Sequence, residues 1–319
     1  MTQNHSRRSV LKSGLALGLS AAALSRPAFA EDKVLRVGYQ KYGALLLLKG
    51  TGALEKALAP LGYKVSWAEF PGGPQLLEAL NAGAIDFGTT GEAPPVFAQA
   101  AGAPLLYVGY EPAAPKGEAI LVQKDSPIKT VQDLKGKKVA LNKGSNVHFL
   151  LVKALEKAGV AYSDIQTVFL APADGRAAFE KGAVDAWVVW DPFLAAAEAA
   201  TGARTLSNGE NLVNNTQFYL AAKPFTDAHP DVVNTALKQI ADLDTWANGN
   251  TDGVAEQLSG PVGIPKDVLK VALARAGFGV KPIDEQVIAA QQEIADTFTK
   301  LGVLPKSIKV ADVVWKSST

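Results

Sequence analysis

The sequence predicts an α/β fold of two lobes joined by a hinge, with a ligand cleft between the lobes. Short β-rich runs alternate with helical stretches, which implies a mostly parallel sheet covered by helices on both faces. The alternation is interrupted by the Pro-rich stretch Glu111-Pro112-Ala113-Ala114-Pro115-Lys116-Gly117, after which a second alternating block begins. The two blocks also echo each other. Leu80-Asn81-Ala82-Gly83-Ala84-Ile85-Asp86-Phe87 is matched by Phe179-Glu180-Lys181-Gly182-Ala183-Val184-Asp185-Ala186, and each run is followed by an acid and a proline, Glu92-Ala93-Pro94 and Asp191-Pro192.

Residues 1–30 stand apart. They open on Ser6-Arg7-Arg8-Ser9-Val10-Leu11-Lys12, pass through an apolar core from Leu15 to Leu24 and close on Ala28-Phe29-Ala30. A basic start, a core too short to span a bilayer and a small-x-small site read as an export signal cleaved near Ala30. The paired arginines point to the twin-arginine route; a general secretory signal that carries two arginines is the other reading. Of the 319 residues, 32 are Lys or Arg and 31 Asp or Glu, and residues 1–30 hold four of the basic ones and no acid, so the remainder carries a net charge of −3. That balance, without a basic block, gives no footing for nucleic acid. The chain has no cysteine. Disulfides, thiol catalysis, thiolate metal sites and a lipidated cysteine are thereby excluded, leaving a free soluble protein in the periplasm.

From Val34 the elements follow in order. Val34 to Tyr39 reads as the first strand, residues 45–59 as a helix and residues 64–70 as the second strand. The turn Pro71-Gly72-Gly73-Pro74 leads into a helix ending at Asn81-Ala82-Gly83. A strand ends at Phe87, and Gly88-Thr89-Thr90-Gly91-Glu92-Ala93-Pro94-Pro95 reads as the turn into the next helix. Residues 105–110 make a fourth strand. Past the connector, strands at 119–122, 138–141, 167–170 and 185–190 alternate with helices at 146–158 and 173–181. After Phe218-Tyr219-Leu220-Ala221-Ala222 the chain is chiefly helical and is expected to pack back on the first lobe. The lobes are therefore drawn as 31–115 with 223–319, and 116–222, with crossings near 111–118 and 221–224, a hinge architecture.

The echo puts two helix amino termini at the carboxyl edges of the sheets, where ligands of open α/β sheets bind. There the first N–H groups of a helix have no internal partner and the macrodipole favours an anion. Thr89, Thr90 and Gly91 suit that use at the first helix start; a plain Thr-capped turn with prolines in the first helical turn is the competing reading. Gly144, Ser145 and Asn146 could face them from Asn142-Lys143-Gly144-Ser145-Asn146-Val147-His148, where a simple Ser cap is the competing reading. Trp190, next to Asp191-Pro192, and Tyr42 are candidates for an aromatic cleft wall. Catalysis finds little support. Of three histidines only His148 is in a candidate site, and no metal spacing, Gly-x-Ser-x-Gly elbow, Walker lysine or dinucleotide fingerprint is present. No cofactor is implied, and the chain is not expected to be an enzyme.

Four runs carry a resemblance: Phe70 to Leu80, Gly88 to Pro95 with Phe97-Ala98-Gln99-Ala100-Ala101-Gly102, Lys143-Gly144-Ser145, and Trp190-Asp191-Pro192. From about Val34 to Trp315 the chain resembles the aliphatic sulfonate-binding proteins that serve ABC importers. The resemblance implies a type II periplasmic binding fold, monomeric, that closes on an alkanesulfonate and docks on a membrane permease. Sulfonate oxygens would meet Thr89, Thr90 and Gly91 on one lobe and Gly144, Ser145 and Asn146 on the other, with Gln40, Glu92, His148 and Trp190-Asp191 completing the cleft. The sequence departs from the family's serine-rich run after Gly144, having Asn146, Val147 and Phe149. A sulfonate is a permanent anion, so its oxygens call for donors only, and amides and hydroxyls release it more readily than a buried arginine pair. Other anions remain open: taurine, which would need Glu92 or Asp191 for its ammonium, nitrate and sulfate. A fold-related pyrimidine-precursor synthase is opposed by the missing cysteines, and a sensory protein would share the same cleft chemistry.

Overall fold

The computed structural model describes residues 33–316; the expected export signal lies outside the described residues. The chain opens with β1 (Lys33–Tyr39), α1 (Gly43–Thr51), α2 (Ala53–Leu58), β2 (Tyr63–Glu69), α3 (Gly73–Asn81), β3 (Phe87–Gly91), α4 (Ala93–Ala100) and β4 (Leu105–Tyr110). A second set follows: β5 (Glu118–Val122), β6 (Lys138–Leu141), α5 (Asn146–Lys157), β7 (Gln166–Phe169), α6 (Pro172–Glu180), β8 (Ala186–Trp190), α7 (Phe193–Thr201) and β9 (Arg204–Asn208). The chain then returns through β10 (Gln217–Ala222) to α8 (Lys223–Ala228), α9 (Pro230–Asn248), α10 (Thr251–Val262), α11 (Lys266–Leu273) and α12 (Glu285–Lys300). No helix among the described residues is long and apolar enough to cross a membrane.

The strands form two five-stranded sheets, ordered β2-β1-β3-β10-β4 and β7-β6-β8-β5-β9. Pairings β1–β2, β1–β3, β6–β7 and β6–β8 are parallel. The strand that returns from the hinge region, β10, is antiparallel to both β3 and β4. Helices cover both faces of each sheet, as the alternation predicts. Leu35, Val37, Leu45, Leu48, Phe87 and Val232 belong to the core on one face of the first sheet, and Leu76, Leu105, Tyr107 and Leu220 to that on the other.

The echo between the blocks has a structural meaning. Asp86 N–H donates to Arg36 O at 2.8 Å while the Asp86 carboxylate accepts from Arg36 N–H at 2.9 Å. In the second sheet Asp185 N–H donates to Lys138 O at 2.9 Å, and its carboxylate accepts from Lys138 N–H at 2.7 Å. Each aspartate thus pins the start of an inner strand to its parallel neighbour in the same way. The following residues are buried without a break through Trp190 in β8 and through Gly91 in β3.

Two sequence expectations are corrected. Thr89, Thr90 and Gly91 lie in strand β3, whereas the sequence read them as a turn; the register pairs them with Tyr219, Phe218 and Gln217. Residues 217–222, drawn in the second lobe, belong to the first sheet, inserted between β3 and β4. The second crossing is therefore at about 209–216. The continuous apolar run Phe218-Tyr219-Leu220-Ala221 is the mark of a strand buried on both faces, and strand order is not written in local pattern. A further strand absent from the sequence reading, β9, pairs with β5, since Arg204-Thr205-Leu206-Ser207-Asn208 shows only weak alternation.

The two crossings run together. Glu111 N–H donates to Gln217 O at 2.8 Å, Ala114 N–H to Asn214 O at 3.0 Å and Gly209 N–H to Pro115 O at 2.9 Å. Packing around the inner strands leaves no room for extra atoms: a Cβ added at Gly88 would lie 2.8 Å from Leu76 Cδ2 and 3.0 Å from Gly38 O. Gly88→Ala is expected to cost about 1–3 kcal/mol through overpacking, read as a lower urea midpoint with an unchanged slope; a midpoint within error of the parent would refute this.

Candidate functional site

A cavity lies between the lobes, beside the paired crossings. The first lobe contributes Tyr42 from the β1–α1 loop and Thr89 from β3, and the second contributes Trp190 and Asp191 from the end of β8. Asn215, Gln217 and Tyr219 form a polar edge where the chain returns. Leu258 of α10, Leu269 and Leu273 of α11 and Phe278 give it an apolar wall, with Arg275 just past the end of α11.

Of the sequence-predicted residues, the cavity gathers Tyr42, Thr89, Trp190 and Asp191. Gln40 stands behind it: its side-chain amide donates to Thr89 O at 3.0 Å and to Tyr42 Oη at 3.2 Å. Tyr42 in turn donates to Gln217 Oε1 at 2.7 Å, and burial pushes its pKa up, so it stays a neutral donor. Thr89 donates its hydroxyl to Phe218 O at 3.1 Å.

Thr90, Gly91, Glu92, Gly144, Ser145, Asn146 and His148 do not line this cavity; they fill the seam next to it. Thr90 is buried and donates to Gly91 O at 3.0 Å. The start of α4 carries Pro94 and Pro95, which have no N–H, so two of the free donors expected there are missing. Across the seam Asn146 closes on Gly91, where an added Cβ would lie 2.7 Å from Asn146 Oδ1. Ser145 spends its hydroxyl on Asn142 O at 2.7 Å, and Gly144 N–H donates to His148 Nδ1 at 3.2 Å. His148 Nδ1 is thus the acceptor, which puts the proton on Nε2, 2.8 Å from Tyr162 Oη. Burial, then the charge of Lys143, lowers its pKa to about 4, so it is a neutral structural residue at ordinary pH.

The seam holds an acidic network that spacing in the sequence did not reveal. Asn146 Nδ2 donates to Glu118 Oε2 at 2.6 Å and to Asn215 Oδ1 at 2.9 Å, while Glu92 Oε2 accepts from Thr216 N–H at 3.0 Å. Burial raises Glu92 to about 7 and Glu118 well above the usual carboxylate range, the latter also through the charge of Glu92. At the cavity, Glu111 accepts from Tyr219 Oη and from Gly279 N–H, and burial with the nearby Asp244 raises it to about 8. Asp191 is raised by burial to about 6 even though Arg275 opposes the shift.

Arg275 and the α10–α11 wall were not singled out from the sequence. Their available signal was weak: a lone arginine in Ala274-Arg275-Ala276-Gly277-Phe278-Gly279, where a glycine-rich exit from a helix carries a charge with no local partner.

Two α/β lobes, a double crossing and a cavity between the lobes define a bilobal solute-binding protein of the type II periplasmic binding class. The profile of the NMT1/THI5-like family matches residues 62–242. An aliphatic sulfonates-binding protein of Escherichia coli (strain K12) is 43% identical over 97% of this chain and 97% of its own length. The alkanesulfonate-binding protein SsuA from Xanthomonas axonopodis pv. citri bound to MOPS superposes with a TM-score of 0.86 at 44% identity, covering 90% of this chain and 99% of that one. The periplasmic aliphatic sulphonate binding protein SsuA from Escherichia coli gives 0.81 at 43% identity, with 91% and 94% covered. The chain belongs to the aliphatic sulfonate-binding proteins of the NMT1/THI5-like family.

Proposed function

We propose that this chain is a periplasmic, non-catalytic binding protein that captures aliphatic sulfonates between its lobes and delivers them to an ABC importer, acting as a monomer. The observation that carries the reading is the amphiphilic cavity. Leu258, Leu269, Leu273 and Phe278 give the cavity an apolar wall, and Trp190, Tyr42, hydrogen-bond donors and Arg275 line the same space. That pairing of surfaces suits an anion on a hydrocarbon tail better than nitrate or sulfate, which would leave the wall unused. Taurine would bring an ammonium to Asp191, a carboxylate already in ion contact with Arg275 at 3.5 Å. Export by the expected signal would deliver the protein to the compartment where such ligands enter.

Calorimetric titration with ethanesulfonate, octanesulfonate, taurine, sulfate and nitrate tests this. Alkanesulfonates are expected to bind, gaining up to about 0.8 kcal/mol per added methylene until the apolar wall is covered, with Trp emission changing in parallel. Heat from sulfate or nitrate alone, or from none of the five, would overturn the ligand assignment.

A further inference from the structure

Two carboxylic acids lie in the seam between the lobes with no cation for a partner. Glu92 stands between β3 and α4 in the first lobe, and Glu118 opens β5 in the second. Both are buried, and each has one oxygen held and one left over. Glu92 Oε2 accepts from Thr216 N–H at 3.0 Å and Glu118 Oε2 from Asn146 Nδ2 at 2.6 Å, whereas Oε1 of each is shielded from solvent and receives no hydrogen bond from the protein. The charges that act on them are acidic as well. Glu118 is raised by burial and then by the charge of Glu92. Glu92 is raised by burial, against backbone hydrogen bonds from Thr216 and Asn215, and Glu293 of α12 adds to the shift. Glu293 itself pairs with Lys153 of α5 at 3.1 Å, and His148 of α5 is neutral. Among the described residues no Lys, Arg or His forms an ion pair with either acid. Glu111 and Asp244 belong to a separate set around the backbone of Gly279 and Val280.

Two carboxylates in one water-excluded seam cannot both stay ionised without a counter-charge. A proton on one Oε1 removes the repulsion and supplies the hydrogen-bond donor that the protein otherwise lacks there. We propose that Glu92 and Glu118 hold one proton between them while the lobes are shut, so that closing on cargo takes a proton from solvent and opening returns it. The link to the cargo runs through the returning crossing. Asn215 lines the interlobe cavity, and its Oδ1 accepts at 2.9 Å from Asn146 Nδ2, the same amide that holds Glu118. Its neighbour Thr216 holds Glu92. Parting the lobes draws Asn146 from Gly91, admits water to the seam and lets both acids ionise as ordinary carboxylates do. The choice of cargo rests on the reading of the chain as an aliphatic sulfonate binder.

A sulfonate does not titrate, so any proton taken up on binding belongs to the protein. The test is calorimetric titration of butanesulfonate into the intact protein and its Glu92→Gln and Glu118→Gln variants at pH 7.5, in phosphate and in Tris, whose unlike heats of ionisation count the protons. Folding is checked by circular dichroism, and either variant alone decides the matter if the other does not fold. The parent is expected to take up about half to one proton per sulfonate, and its affinity to fall about threefold to tenfold per pH unit between pH 6.5 and 8. Each variant keeps an acceptor for the donor already in place and offers a permanent N–H to the other acid. Uptake should then drop below about a quarter of a proton, and affinity should vary by less than about twofold per pH unit. Parent protein that binds butanesulfonate without proton uptake, or uptake in a folded variant equal to the parent's, overturns the shared proton and leaves the sulfonate reading standing. Parent protein that binds no butanesulfonate overturns both.

Discussion

Raising the pH from 6.5 to 8.5 is expected to lower the thermal unfolding midpoint by about 5 °C. The cause is a set of carboxyl groups buried with a raised pKa. Glu111, ordinarily near 4.5, titrates at about 8 in the folded protein, Glu92 at about 7, and Glu118 well above its usual range. Between the unfolded and folded pKa the native state holds a proton that the unfolded chain has released. The contribution is therefore complete below about pH 4.5 and is lost as pH rises through the folded value. His148, lowered to about 4, works the other way, because its unfolded form charges first as pH falls. Its effect ends near pH 6.5, the ordinary histidine value, and Asp191 and Asp244, at about 6, have largely titrated by then. Above pH 6.5 the glutamates dominate the slope. At about 1.4 kcal/mol per pKa unit Glu111 and Glu92 together remove roughly 2–3 kcal/mol by pH 8.5, and Glu118 adds to the loss in the same direction; for a chain of this size that is about 5 °C or more. Glu111→Gln, which keeps an acceptor for Gly279 N–H, should flatten the slope over the same window. Scanning calorimetry at the two pH values decides the matter, and equal midpoints would refute the account.

The second large effect is expected at Phe298 of α12. Its ring is wholly buried, with centroids 4.9 Å from Phe97 of α4, 5.1 Å from His148 and 5.9 Å from Phe149 of α5. It thereby joins a helix of the first lobe to a helix of the second. Phe298→Ala is expected to cost about 3–5 kcal/mol, the sum of lost transfer energy and an unfilled cavity. Because the contacts it removes are interlobe ones, the unliganded variant should also show a larger radius of gyration by small-angle scattering. A loss below about 1 kcal/mol would show that the site collapses around the smaller side chain.

The alternation of apolar runs with helical periods made the α/β class and the double lobe legible, because both follow from local pattern. The echo at Asp86 and Asp185 was legible for the same reason: a repeated local geometry repeats its residues. Strand order was not. The run Phe218-Tyr219-Leu220-Ala221-Ala222 looks alike whether it closes the second sheet or enters the first, and only pairing with Thr89 and Thr90 tells. That one misplacement also explains much of the difference at the site. With β10 alongside, the residues read as an anion-binding turn become a strand, while the hydroxyls of Thr89 and Ser145 turn to main-chain carbonyls. Trp190 and Asp191 were found because they end a strand at a predictable edge. Arg275 was not, since a residue 84 positions beyond Asp191, the nearest candidate, reaches the cavity only through tertiary packing.

Several ties between the lobes are made by protein groups alone. Phe298 wedges between α4 and α5, Asn146 closes on Gly91, and Arg275 grips Glu198. Contacts that hold whether or not cargo is present raise the share of empty molecules already shut, and a shut molecule charges the ligand less for ordering the cleft. Affinity gains by this, and signal fidelity loses. An importer that recognised closure by itself would answer to empty carriers, so productive recognition by such a partner must also depend on something the cargo changes, such as the mobility or charge at the lip of the cleft.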